Sequence, residues 1–372
     1  MKQDYGDKFV CIAYIGGYKL KTIRVVTVIC WVVIFAIFLG LVGWFITGTV
    51  FGARPGWVDR NMPFRIGIGG TEILSGPFNI AGTNTADPAG ISSINVDWVS
   101  GEIVLRPHDG NNIEITELSQ RTLRDNERMS VTVSGDTLEI EFLDRRVANR
   151  IGRMPSKNLE ILVPRTLSDD LDSLDINSVS GHVDVYGMSI TDIDISTTSA
   201  GISLSNIISV TTELSSMSGI ADISYSSSTT LDIGTVSGRV SAAGAFNTAN
   251  LRSTSGNISL NNTTVQSNAD IDTTSGTVEL SGAFYSVSTS STSGRVSIRS
   301  IILPSSIGVD TVSGAITVTI PDEGSITVRH SSVSGRFNSV IPVLLQNRGA
   351  QFSFSTVSGN VNIFELQSNI SS

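Results

Sequence analysis

The chain is poor in the residues that build most reactive centres. Its 372 residues include two cysteines, Cys11 and Cys30, and three histidines, His108, His182 and His330. Nothing beyond Cys30 can therefore form a disulfide or a thiolate metal site. Three scattered histidines argue against a zinc centre. Aromatic residues make up 6 % and charged residues 16 %. The net charge of −9 argues against a nucleic-acid binder, which presents a basic face to phosphates. No Ser-His-Asp, metal-ligating or phosphate-loop constellation stands out, so the chain reads as a non-enzyme without a cofactor. What is abundant is Ser, Thr, Gly, Val and Ile, a composition for β-structure with many turns.

One long apolar run interrupts this pattern. Val25 to Ile46, VVTVICWVVIFAIFLGLVGWFI, contains no charged residue. As a helix it would be about 33 Å long, enough for a hydrocarbon core of roughly 30 Å, with Trp44 where an interfacial aromatic belongs. A cleavable signal peptide is the rival reading, but its apolar region would be shorter and followed by small residues at the cut. Lys19, Lys21 and Arg24 crowd the N-terminal flank, which predicts a cytoplasmic N-terminus and an exported remainder. The expected divisions are a cytoplasmic tail (1–24), a transmembrane helix (25–47) and a juxtamembrane linker (48–90).

From Ser180 onward a Ser-Gly pair recurs, its serine at 180, 199, 218, 237, 255, 275, 293, 313, 334 and 358. Ala200 replaces the glycine once. A fixed step of about 20 residues marks a solenoid. Apolar residues alternate on both sides of each pair, for example Leu174 and Ile176 before Ser180 and Val183 after it. Period 2 on both sides means two strands meeting at a corner. The fold expected is all-β, a right-handed single-stranded parallel β-helix (β-solenoid) of about ten coils with repeats of about 20 residues, preceded by the one transmembrane helix. Its repetitive part spans 171–366, with a capping and hairpin region at 91–170 and a polar tail at 367–372.

The corner glycines are Gly181, Gly219, Gly238, Gly256, Gly276, Gly294, Gly314, Gly335 and Gly359. They suit a positive φ or a close backbone approach between coils. Two residues before each serine stands a hydroxylic residue: Ser178, Thr197, Ser216, Thr235, Ser253, Thr273, Ser291, Thr311, Ser332 and Thr356. Hydroxyls there can satisfy backbone groups at the bend or one another along the stack. The segment MSVTVSGDTLEIEF, Met129–Phe142, has the register of a hairpin turning on Ser134-Gly135-Asp136. Ile94–Leu105, INVDWVSGEIVL, keeps the coil register instead.

Two charged features are candidate surfaces. Asp175, Asp194, Glu213, Asp232 and Asp270 occupy one outward position and should stack as an acidic stripe. Unit charges 4.8 Å apart repel by about 0.9 kcal/mol even in water. A divalent cation could relieve this, and a plain solvated face is the alternative. Arg145, Arg146, Arg150, Arg153 and Lys157 form a basic run, readable as a contact for anionic lipid or wall polymer or as an ordinary charged loop.

The run SVSGHVDV, STSGNISL, TTSGTVEL, STSGRVSI and TVSGNVNI, with INVDWVSGEIVL and NLEILVP before it, resembles the bacterial β-solenoid family known as putative adhesins. The resemblance covers roughly residues 91–366. It implies a cell-envelope protein tethered by one N-terminal helix and no catalytic residues to carry over. The expected function is a non-enzymatic adhesive or surface-binding scaffold outside the cell membrane. The alternative is a regulatory or structural partner of envelope-stress membrane proteins, and a lesser one is a polysaccharide-processing β-helix enzyme. Expected partners are the membrane, wall or surface glycans, and other envelope membrane proteins, with self-association through an open solenoid end.

Overall fold

A computed structural model describes residues 78–143, 155–344 and 349–367. The expected membrane span at Val25–Ile46 lies outside the described residues, as do Arg145, Arg146, Arg150 and Arg153. Among the described residues no helix is long and apolar enough to cross a membrane.

The described chain is all-β, with 25 strands joined in one sheet. Among the described residues, helix is confined to a four-residue turn at Arg165–Ser168 and a 3-10 turn at Asp125–Glu127. The alternation expected of each coil is what the backbone shows. On the strand Ser189–Thr197, Ile190, Ile193 and Ile195 are buried while Asp192 and Asp194 are exposed.

In the repetitive part, from Leu171–Ser178 onward, each strand pairs in parallel with its equivalent in the next layer. Ile195 lies beside Ile176 on one side and Leu214 on the other, and the row continues through Ile233, Leu251 and Ile271. A second row runs Val183, Ile202, Ala221, Val240, Ile258, Val278, Val296 and Ile316. These aliphatic ladders form one continuous core. Register is strongly specified here because a slip of one residue would turn every buried side chain outward.

The two ends depart from chain order. At the N-terminal end, Ser93–Trp98 lies between Thr137–Glu141 and Leu171–Ser178, and Glu102–His108 lies between Lys157–Pro164 and His182–Tyr186. At the C-terminal end, Ala350–Thr356 is inserted between Ser306–Thr311 and Ile326–Ser332. Its companion Val361–Glu365 sits between Ile316–Ile320 and Phe337–Ser339. The last layer in sequence is thus the last but one in space.

The expected hairpin is present. Ser130–Ser134 pairs antiparallel with Thr137–Glu141, with Ser134 opposite Thr137 and Gly135 at φ 67°. One boundary needs correction. Asn79–Ala86, assigned to the linker, is a strand paired antiparallel with Ile113–Ser119. Its sequence NIAGTNTA offers almost no apolar alternation, and its residues are mostly exposed, so only pairing with its neighbour defines it.

Candidate functional site

The corner explains itself in backbone terms. None of the nine corner glycines has a left-handed φ, so their conformational freedom is not what the corner requires. The reason is space. A Cβ on Gly238, Gly256, Gly276, Gly294 or Gly314 would fall inside 3.0 Å of the carbonyl oxygen of the corner glycine one layer before it. The same clash awaits Gly219 against Ala200. Gly359 faces Gly314 and Gly335 faces Gly359, so the glycine stack follows spatial order and not chain order.

The hydroxylic residues lock the same bend. The backbone N–H of Gly256 donates to Ser253 Oγ at 2.8 Å, and that of Gly276 to Thr273 Oγ1 at 3.1 Å. Equivalent bonds close the corners at Gly181, Gly219, Gly294, Gly314, Gly335 and Gly359. Hydroxyls also bond along the stack, Thr197 to Ser216 at 3.0 Å and Thr235 to Ser253 at 3.1 Å. At the Ala200 and Gly238 corners the hydroxyls of Thr197 and Thr235 donate to the carbonyls instead, so every corner has a backbone group satisfied by its own side chain.

The acidic positions align as expected. Asp175, Asp194, Glu213 and Asp232 lie side by side on four successive layers, followed by Asn250 and Asp270. Asp97 and Asp272 flank this row on the same sheet face. Arg252 interrupts the negative field, 3.5 Å from Asp232 and 3.8 Å from Asp272. Partial burial raises the Asp175 carboxyl above its ordinary range, with the charges of Asp194 and Asp97 adding to the effect, against a hydrogen bond from Asn177. Among the described residues no three acidic or imidazole groups converge on a point that could hold a metal ion.

Lys157 is a correction. Expected in a basic surface run, it is wholly buried. Its ammonium donates to Glu117 Oε1 at 2.6 Å, to the Glu127 carbonyl at 2.9 Å and to the Phe142 carbonyl. The Phe142 ring centroid lies 4.0 Å from Nζ and the Trp98 centroid 5.1 Å. Trp98 Nε1 in turn donates to the Lys157 carbonyl at 2.9 Å. Burial pushes the lysine's pKa down, and Glu117 opposes that shift. Three acceptors around three ammonium protons make this a structural ion pair at the N-terminal cap, not a surface contact. The alternation of Lys157, Leu159, Ile161 and Val163 on one strand face is the signal that points to it.

Beside that cap, a cleft of about 400 Å³ opens between the strand Asn79–Ala86 and the hairpin, lined by Asn84, Thr85, Asp87, Ile91, Val131 and Val133. Among the described residues, Asp87 is the one titratable side chain on its wall. Arg121 and Glu127 make a bidentate pair at 2.8 and 2.9 Å nearby. That pair, with a backbone bond from Arg124, holds the Glu127 carboxyl at about 2.

The family model described as Toastrack DUF4097 matches residues 91–303. No curated protein matches the chain. Among solved structures, a "putative adhesin" from Parabacteroides distasonis is 11 % identical, with 78 % of this chain and 98 % of that one covered, at a TM-score of 0.41. A "putative adhesin" from Bacteroides fragilis is 14 % identical over 76 % and 96 % of the two chains, at 0.36. A "putative lipid binding protein" from Parabacteroides distasonis is 13 % identical over 77 % and 96 %, at 0.39.

Proposed function

The chain belongs to the Toastrack DUF4097 family, and from that premise we propose that it is a non-enzymatic surface-binding scaffold of the cell envelope. The observation that carries this reading is the register-locked face that carries Asp175, Asp194, Glu213 and Asp232. There Asp, Glu, Ser and Thr side chains stand in straight rows at the parallel-strand spacing of about 4.8 Å, over an aliphatic core that holds them rigid. A surface of that kind suits many weak polar contacts to a repeating polymer, such as a wall or surface glycan. Fold alone does not determine function, so the reading rests on this face.

The remaining parts follow from the sequence. A helix at Val25–Ile46 anchors the chain in the cell membrane, with the N-terminus cytoplasmic and the solenoid outside. The solenoid winds to the right through about ten coils, as parallel crossovers do. The rows of Ser and Thr supply hydroxyl contacts, and the acidic stripe repels anionic polymers.

The test uses the full chain in detergent, offered to isolated wall, glycan and membrane fractions at low and high salt. Saturable binding to wall or glycan that survives salt is expected. Absence of such binding, with co-purification of membrane proteins, would replace the scaffold with a structural or regulatory partner of those proteins.

A further inference from the structure

One turn of the solenoid carries a residue that its backbone does not favour. Among the described residues, the non-glycine residues with a left-handed φ are Asn206, Asn262 and Tyr225. Asparagine tolerates that conformation because its short side chain bonds locally, and tyrosine has no such compensation. Tyr225 stands in line with Gly187 and Asn206 on the two layers before it, and its side chain is 84 % exposed. A ring that strains the backbone and packs on almost nothing points to a role outside the fold.

A second exposed ring lies two layers away. Tyr186 pairs with Ser205, and Ser205 with Ser224, the residue before Tyr225. Two layers separate the rings by roughly 9.6 Å of stack, at about 4.8 Å per layer. Asp184 and Asp222 repeat at the same interval on the same outward face, with Ser203 between them. The intervening layer presents Ser203, Ser205 and the exposed Asn206. Ring and carboxylate therefore alternate with hydroxyls and an amide, and the period is two layers.

We propose that this face binds an extended neutral glycan, a β-1,4-linked chain whose alternate sugars stack on Tyr186 and Tyr225. The inference rests on the scaffold reading above and gives it a ligand class and a place. In such a chain every second sugar presents the same face, so its repeat is a disaccharide, close in length to two layers. The C–H face of a sugar packs on an aromatic ring. Its edge hydroxyls need the donors and acceptors that Asp184, Ser205, Asn206 and Asp222 supply. A protein partner would favour one continuous apolar patch, whereas polar side chains separate these rings. The charges nearby are engaged: Arg165, beside Tyr186, holds Asp109 at 2.7 Å, and Arg106 holds Glu160 at 2.6 Å. His182 contacts Ser203 at 3.4 Å, and the two carboxylates disfavour an anionic polymer.

Isothermal titration of the full chain, held in a detergent without a sugar headgroup, tests this with β-1,4-linked oligosaccharides of glucose and of N-acetylglucosamine. A tetrasaccharide reaches both tyrosines and a disaccharide only one, so wild type should bind the longer sugar about tenfold or more tighter. Tyr186→Ser and Tyr225→Asn should each weaken tetrasaccharide binding by about tenfold and leave it little better than the disaccharide. Tyr225→Phe keeps the ring and should bind as wild type does. Tyr225→Asn also relieves the backbone, so its lost affinity should accompany a higher melting temperature, which separates a binding role from a structural one. A wild type that binds neither series overturns the proposal, whether or not the rings seat a protein. So do Ser and Asn variants that bind the tetrasaccharide as well as wild type, or a tetrasaccharide that binds no tighter than the disaccharide. If wild type and both variants then hold isolated wall equally, this site falls and the scaffold stands.

Discussion

Lys157 Nζ and Glu117 Oε1 lie 2.6 Å apart with neither side chain exposed to solvent. Both come from the non-repetitive N-terminal cap, and the pair joins the strand Lys157–Pro164 to its antiparallel neighbour Ile113–Ser119. Replacing one partner leaves a buried charge uncompensated, which costs about 3–5 kcal/mol. Lys157→Met should therefore lower the urea midpoint sharply. Lys157→Met with Glu117→Leu should recover part of the loss, because both charges are gone while the Met129 N–H and the Glu127 and Phe142 carbonyls lose their side-chain partners. Equal loss in the single and double variants would show that packing, not the ion pair, sets the cost.

The glycine stack makes a paired prediction. Gly256→Ala forces a methyl against the Gly238 carbonyl oxygen, whereas a Cβ on Gly234 meets nothing within 4 Å. Gly256→Ala should destabilise by about 1–3 kcal/mol, and Gly234→Ala should cost nothing measurable by the same chemical denaturation.

Acid should act on the two ends of the pKa range in opposite senses. Glu127, held at about 2 against an ordinary 4.5 by Arg121, contributes stability that is complete above pH 4.5. That contribution is lost as pH falls toward 2. Glu127→Gln should lose about 2 kcal/mol at pH 7 and draw level with wild type in strong acid. Asp175 has the reverse sign. Its raised pKa means that the charged form strains the fold at neutral pH and is relieved as pH falls. Asp175→Asn should stabilise the protein at pH 7, with the gain vanishing below the ordinary value of 3.8. Melting curves across pH 2–8 check both.

Tyr225 occupies a left-handed corner at φ 50°, in line with Gly187 at 68° and Asn206 at 53°. Its side chain is 84 % exposed, so little packing offsets the roughly 1–2 kcal/mol that a Cβ costs there. Tyr225→Asn should raise stability by about 1 kcal/mol, read as a higher melting temperature.

Thr289 interrupts an aliphatic row between Ile271 and Val309, and its buried hydroxyl has no hydrogen-bond partner. Thr289→Val keeps the shape and removes the unsatisfied group. A gain of about 1 kcal/mol is expected in denaturant unfolding, where a loss would mean that the hydroxyl has an unseen water.

The repeating part was legible because its physics is local. Apolar residues at fixed offsets from Ser-Gly, such as Ile176, Ile195 and Leu214, could bury themselves only by stacking in register, and they do. The hairpin at Gly135 was legible from the same alternation across a two-residue turn. The exchange of the last two layers was not. Every coil carries the same pattern, so Phe354 can follow Val309 as well as His330 can, and the pattern is silent on order. The strand Asn79–Ala86 was hidden by its polar composition. Lys157 was obscured by the arginines before it, although its place on the buried face of KNLEILVP was there to be read. The acidic row was legible as geometry, because outward positions stack as reliably as inward ones.

The inserted layer has a consequence for how the chain is made. A ribosome delivers Ile326–Ser332 before Ala350–Thr356, yet the earlier strand rests on the later one. The growing solenoid can add layers in step with synthesis only as far as Ile316–Ile320. Beyond that point the strands Ile326–Ser332 and Phe337–Ser339 must wait, their supporting layer still unmade, until Ala350–Thr356 and Val361–Glu365 arrive and slide beneath them. Completion of this end of the stack is therefore tied to the synthesis of residues 350–365. A product released early would not lose an outer layer but would lack the one on which its outermost layer stands.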